Sequence, residues 1–410
     1  MMQRLDNASF KSSYLTHPFS MAALYCLAVS VSMGVALVSI SKLLVVLAIV
    51  AKLVSLWRAG GLRWARSGYS TFTAIAIGLA WLYFSLLWSE GGDGERMVSF
   101  MRHARLWVLP AVYYLIETRR DAFKVLVALV IGQIFVVASS WLLWLGVPLP
   151  WALTVYHSSM GVVFASTLEQ PVMSTLMLVI VWFLRAEIPQ KWRQAVVMLA
   201  VVLTITNVFF VMTGRTGYLV MLLAISLAIY WLLPKKLRPV AVLLPIVMAI
   251  SLGFVSTRFQ TKMAEIKRDV LEYQKGNFDT SQAQRLDYWV KSLQAIQDKP
   301  LIGHGVGSWR VNYIRLGGAD KVNPPSNPHQ QFLLWAVEGG LVGLAFLLAI
   351  FIMIYRDSHR LDSAAQQALR ATLAITILMG MMNCPLFGAG MGEFIFLIMG
   401  ALLATKQRQQ

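Results

Sequence analysis

Negative charge is scarce in this sequence: 19 Asp and Glu stand against 36 Lys and Arg in 410 residues, for a net charge of +17. Charge of either sign is thin, at 13% of residues, while 58% are hydrophobic. An ordinary soluble domain carries about 25% charged residues, so composition alone argues against one. Cysteine is nearly missing. Cys26 and Cys384 both fall at or near apolar runs, and no disulfide framework is indicated. The short polar loops contain no P-loop, which leaves no visible nucleotide hydrolysis. The segments assigned below to the outer side lack Asp-x-Asp, His-x-x-x-His and clustered Cys/His, so neither a divalent metal nor a zinc site is expected. Gly303-His304-Gly305-Val306-Gly307 follows no βαβ unit, and a dinucleotide fold is excluded with it.

What the chain has in quantity is apolar sequence in membrane-length runs. Phe19 to Trp57 is long enough for two crossings, with a tight turn expected near Ser39–Lys42. Further spans read as Thr71 to Trp88, Phe100 to Ile116, Phe123 to Leu145, Val172 to Leu184, Ala195 to Met212, Gly217 to Leu233 and Val240 to Val255. Gln330 to Tyr355, Ala365 to Met382 and Leu386 to Ala404 follow a long polar insertion. The fold class is therefore an all-α polytopic membrane protein of about twelve transmembrane helices. Its parts are an N-terminal transmembrane bundle (1–255), an outer helical segment (256–329) and the C-terminal transmembrane helices (330–410). The polar N-terminal stretch is too long for a signal peptide, and Phe19 onward reads as a retained span.

Lys and Arg set the orientation, because cytoplasmic loops keep positive charge. Alternate loops carry Arg58, Arg63 and Arg66, then Arg119, Arg120 and Lys124, then Arg185, Lys191 and Arg193, then Lys235, Lys236 and Arg238, then Arg356 and Arg360. With Arg4 and Lys11 at one terminus and Lys406 and Arg408 at the other, both termini are expected in the cytoplasm. The intervening loops are acidic or nearly neutral, with Glu90, Asp93, Glu95 and Arg96 in one, and His157 and Glu169 in the next. The excess of positive charge is thus largely a topology signal and does not point to nucleic acid.

This topology brings three candidate site residues to the outer face. His329 follows Pro324, Pro325 and Pro328, which stop any helix, and stands at the mouth of an apolar run. Arg215 occupies a short Gly-Arg-Thr-Gly turn between two spans, and Arg285 lies in the outer segment. A planar guanidinium forms paired hydrogen bonds to phosphate and keeps its charge when buried, so two arginines suit a diphosphate. Each residue also has a purely structural reading, as a helix end, a snorkelling arginine and a solvated helix arginine. Arg102 and Arg105 inside a span are secondary candidates; they also offer partners to Glu90, Asp93 or Glu95. In a continuous helix Gly340 and Gly343 fall within roughly 40° of the His329 face, forming a smooth packing surface. Glu338 would face the other way, about 13 Å deeper, where Arg102 or Arg105 could neutralise it.

His329-Gln330 followed by Gly340 and Gly343, Arg215 with Leu219, and Arg285-Leu286-Asp287-Tyr288-Trp289 running on to Pro300-Leu301-Ile302-Gly303 together resemble the O-antigen ligase family of the ligase/polymerase superfamily. The span plan and the outer segment fit the resemblance over most of the chain, whereas the motifs occupy its second half. The resemblance implies a GT-C-like glycosyltransferase of the bacterial inner membrane with a periplasmic site, using neither cofactor nor metal. It implies transfer of O-antigen from undecaprenyl diphosphate to a sugar hydroxyl of lipid A-core, amid membrane lipids and with no nucleotide or nucleic acid. His329 would be the base, Arg215 and Arg285 would bind the diphosphate, and Gln330 and Tyr288 become secondary candidates. A polymerase or a protein O-oligosaccharyltransferase of the superfamily would use the same groups. A transporter belongs to another class: it should place polar groups near the bilayer midplane.

Overall fold

The computed structural model describes residues 2–58, 68–152, 161–212, 214–255, 257–320 and 324–406, and among these every regular element is helical. Arg63, Arg66, His157 and Arg408, used above for orientation, lie outside the described residues, as do the side chains of Arg4 and Lys11. α1 (Met2–Ser30) takes the polar N-terminal stretch into a helix, and α2 (Val35–Arg58) follows. Their turn lies at residues 31–34 and not near Ser39–Lys42 as expected. The polar side chains of that stretch lie within α2 and find partners there and on α16 (Met391–Ala404). The Ser39 hydroxyl donates to the Val35 carbonyl at 2.9 Å, and Lys42 Nζ reaches Glu393 Oε1 at 2.7 Å.

α3 (Ser70–Phe84) runs on through a 3-10 turn to Trp88. The next apolar stretch is divided into α4 (Asp93–His103) and α5 (Val108–Leu115) by a 3-10 turn at Ala104–Trp107. Then come α6 (Arg119–Trp144), α7 (Glu169–Phe183), α8 (Gln190–Thr206, continued by a π turn to Val211), α9 (Arg215–Leu232) and α10 (Arg238–Val255). The outer segment is α11 (Thr257–Gln274), α12 (Ser281–Asp298) and α13 (Trp309–Arg315). The chain returns through α14 (Gln331–Ser358), α15 (Ser363–Gly380) and α16 (Met391–Ala404).

Among the described residues, six helices are long and apolar enough to cross a membrane: α2, α3 with its 3-10 turn, α6, α8 with its π turn, α9 and α14. α7 and α16 are shorter apolar helices. Every residue of α16 is buried, as an element hydrophobic on all sides must be, and it stands at the centre of the bundle. α2, α8 and α10 instead expose Leu43, Val46, Met198, Leu199, Val242 and Ile246, an outer surface suited to lipid.

Two sets of loops mark the ends of the bundle. At one end Arg119 joins Asp362 at 2.7 Å and Glu187 at 3.0 Å, and Asp357 accepts from the Thr71 hydroxyl at 2.7 Å. This end gathers the basic loops. At the other, the outer segment docks on the start of α14 and on the loop between α15 and α16, through a separate core of Tyr288, Trp309, Tyr313, Leu334, Val337 and Phe387.

Candidate active site

α14 is not one smooth helix. At Gly340 the backbone turns to φ 68°, ψ −170°, a conformation left almost wholly to glycine. Such a break frees backbone groups that a continuous helix would pair. The turn at 300–305 takes them up. The amides of His304 and Gly305 donate to the carbonyls of Val337 and Glu338 at 2.9 and 2.8 Å, while the amides of Leu341 and Val342 donate to those of Pro300 and Leu301 at 2.8 and 3.2 Å. Gly303 also has positive φ, and a Cβ there would lie 2.7 Å from the Val337 and Glu338 oxygens. The glycine-rich turn is therefore a plug that fixes the outer segment to α14. Gly340 does not lie on the packing face expected for it; Gly343 sits close to Trp81, whose indole N–H donates to the Gly339 carbonyl at 2.9 Å.

The break also changes what Glu338 meets. Its carboxylate is buried and lies 2.7 Å from His103 Nε2, and it accepts from the Ser99 hydroxyl and the Gly307 amide at 2.9 Å each. The partners expected for it are engaged elsewhere. Arg105 Nε is 3.2 Å from Glu393, and its Nη1 donates to the Phe387 carbonyl. Arg102 donates to the Ser326 hydroxyl at 2.7 Å and covers the Phe387 ring. Neither reaches Glu90, which instead receives Lys299 at 2.5 Å, His304 at 2.8 Å and Asn312 at 2.9 Å. Burial works against ionising Glu90, but these three partners prevail and hold its pKa down to about 2.

His329 precedes α14 rather than opening it, because Gln330 is the N-cap and its side chain accepts from the Leu333 amide at 2.6 Å. Among the described residues His329 is the one non-glycine with positive φ, at 51°, and its amide is tied to Asn327 Oδ1 at 2.9 Å. Its Nδ1 lies 3.1 Å from Asn383 Oδ1, and the Tyr288 ring is 6.1 Å away, centre to centre. Burial lowers the imidazole pKa, the hydrogen bond to Asn383 raises it, and the positive charge of Arg285 lowers it again, with a net shift downward.

Arg285 projects from α12 with Nη1 3.4 Å from the Met382 carbonyl, next to Asn383. Burial, and then repulsion by Arg215, lower its pKa, so the two guanidinium groups act on one another. Arg215 starts α9 and pairs with Glu265 of α11. Among the described residues Arg285 has no carboxylate partner, so of the two arginines only Arg215 is ion-paired. The Arg215 turn is seated on α7: a Cβ on Gly217 would come within 2.6 Å of Pro171 Cβ. Beside Arg285 and the His329–Gln330 backbone the buried Cys384 thiol is pushed upward in pKa by desolvation and stays neutral. Among the described residues no group of three His, Cys, Asp or Glu side chains could hold a metal ion.

A family model described as O-antigen ligase matches residues 200–348. Over those residues, somewhat over a third of the chain, it is similar to the O-antigen ligase family. No curated protein matches it. The matched segment runs from within α8 to within α14, so it contains Arg215, Arg285, His329, Gly340 and Gly343. It ends before Asn383, which the sequence reading missed. One signal was available, since residues 381–391 read MMNCPLFGAGM and Asn383 is the only carboxamide of that loop. The other sequence candidates are spread around the candidate site: Tyr288 flanks the histidine, Gln330 caps α14, and Arg102 and Arg105 both contact Phe387 of the 381–391 loop.

Proposed function

We propose that the protein transfers a glycan from undecaprenyl diphosphate to a sugar hydroxyl of lipid A-core, as an O-antigen ligase at the periplasmic face of the inner membrane. The observation that carries this reading is His329 beside Arg285, which in turn feels the charge of Arg215, at the bundle end opposite the basic loops. The chain crosses the membrane about twelve times with both termini in the cytoplasm, in a GT-C-like arrangement. The donor's diphosphate lies on Arg215 and Arg285, exchanging with the Glu265 carboxylate. His329 Nε2 takes the proton of the acceptor hydroxyl as that oxygen attacks the anomeric carbon. The bond from that carbon to the diphosphate oxygen breaks, its electron pair leaves with the diphosphate, and the arginines stabilise the charge. Attack opposite the leaving group inverts the anomeric centre, and guanidinium charge serves where other enzymes use a divalent cation.

The test is the identity of the product when detergent-purified protein meets the carrier-linked glycan and lipid A-core together, with EDTA present. Glycan joined to lipid A-core supports the ligase. Longer carrier-linked glycan with unmodified lipid A-core makes the protein a polymerase.

A further inference from the structure

Asn383 Oδ1 receives two contacts: the backbone amide of Cys384 donates to it at 2.9 Å, and His329 Nδ1 lies 3.1 Å away. The first contact decides the second. An amide N–H can only donate, so the atom facing Cys384 must be the carboxamide oxygen, because a flipped Asn383 would set N–H against N–H. An oxygen that accepts from Cys384 offers only lone pairs to the imidazole. The neutral ring must then carry its proton on Nδ1, which leaves the lone pair on Nε2. The surroundings hold this arrangement from both sides. The backbone amide of Asn383 donates to the Met379 carbonyl at 2.8 Å at the end of α15, and the positive φ of His329 with its Asn327 tether fixes the ring's origin.

We infer that Asn383 is a positioning residue that locks His329 in the Nδ1–H tautomer and so keeps Nε2 free to accept a proton. Free histidine prefers the opposite tautomer, with the proton on Nε2, where the ring can donate but not accept at that atom. The 381–391 loop thereby becomes part of the reaction machinery although it lies outside the matched family segment. This inference rests on the reading of His329 as the base, but the tautomer can be measured without reference to transfer. The charged and titratable groups facing the ring are Arg285 and Tyr288 from α12 and Cys384 from the same loop.

The experiment uses full-length protein in detergent with ¹⁵N-labelled histidine, the His329 signals being assigned by their loss in His329→Gln. In the wild type above the imidazole pKa, Nδ1 should show the shift of a protonated nitrogen and Nε2 that of an unprotonated one. Asn383→Leu, which keeps bulk and removes the acceptor, should move the proton toward Nε2 and lower transfer by about 10–100-fold, by analogy with the loss of a partner that fixes the tautomer of a metal-ligating histidine. Asn383→Asp should keep the tautomer and, by adding negative charge, move the acidic limb of the pH–rate profile to higher pH with the alkaline plateau retained. A proton on Nε2 in the wild type, or an unchanged tautomer in Asn383→Leu, overturns the inference. Full transfer by His329→Gln would instead remove the base reading while leaving the tautomer result standing.

Discussion

At the residue scale, His329 is tuned by opposed influences. Burial and the charge of Arg285 disfavour its imidazolium, Asn383 favours it, and the net pKa lies below the ordinary 6.5. A base acts in its neutral form, which is present above the folded-state pKa and lost as pH falls through it. Transfer should therefore persist below pH 6.5 and decline only at lower pH. Arg285→Gln removes a repelling charge, so besides slowing transfer it should move the acidic limb upward; a pH–rate profile of both proteins checks this, and an unmoved limb counts against the pairing. His329, Arg215 and Arg285 stood out as candidates in the sequence: a histidine behind three prolines, a cation on the outer side, an arginine within a recognisable stretch. Asn383 did not, because its role depends on a loop returning from α15, and nothing within that loop reveals what faces it.

At the element scale, the junction of α14 with the glycine-rich turn sets the site's geometry. Sequence periodicity assumes an unbroken helix, and this is why it misplaced Gly340 and the partners of Glu338. The positions of the helices were legible from apolar run length, but the break was not, because its freed backbone groups are satisfied by a turn 33 to 41 residues earlier in the chain. Gly340→Ala forces a side chain into a glycine-only conformation, at about 1–3 kcal/mol for the backbone alone, and drives its Cβ against the Leu301 carbonyl. It should lower the thermal unfolding midpoint and abolish most transfer. Gly343→Ala keeps a helical backbone and meets Trp81 Nε1 at 3.4 Å, ordinary contact, with the Trp335 carbonyl at 3.2 Å. Its loss should be smaller, and equal losses would mean that the break at Gly340 is not the feature that matters.

At the scale of the whole molecule, separation of charge along the bundle axis unites topology with chemistry. The basic loops gather at one end, where Arg119, Asp362 and Glu187 meet, and the histidine and arginine site lies at the other. The exposed residues Gln297 and Ser363 report on the two ends. In spheroplasts, a membrane-impermeant maleimide should label Gln297→Cys at once and Ser363→Cys only after lysis; the reverse pattern would invert the orientation. The central claim is that His329 performs the proton transfer while the arginines hold the donor. The most direct measurement compares wild type with His329→Ala for glycan transfer to lipid A-core and, separately, for binding of the carrier-linked donor. Donor binding should be retained while transfer falls by about 10²–10⁴-fold, the contribution of a positioned general base. Transfer at a rate near that of the wild type would contradict it.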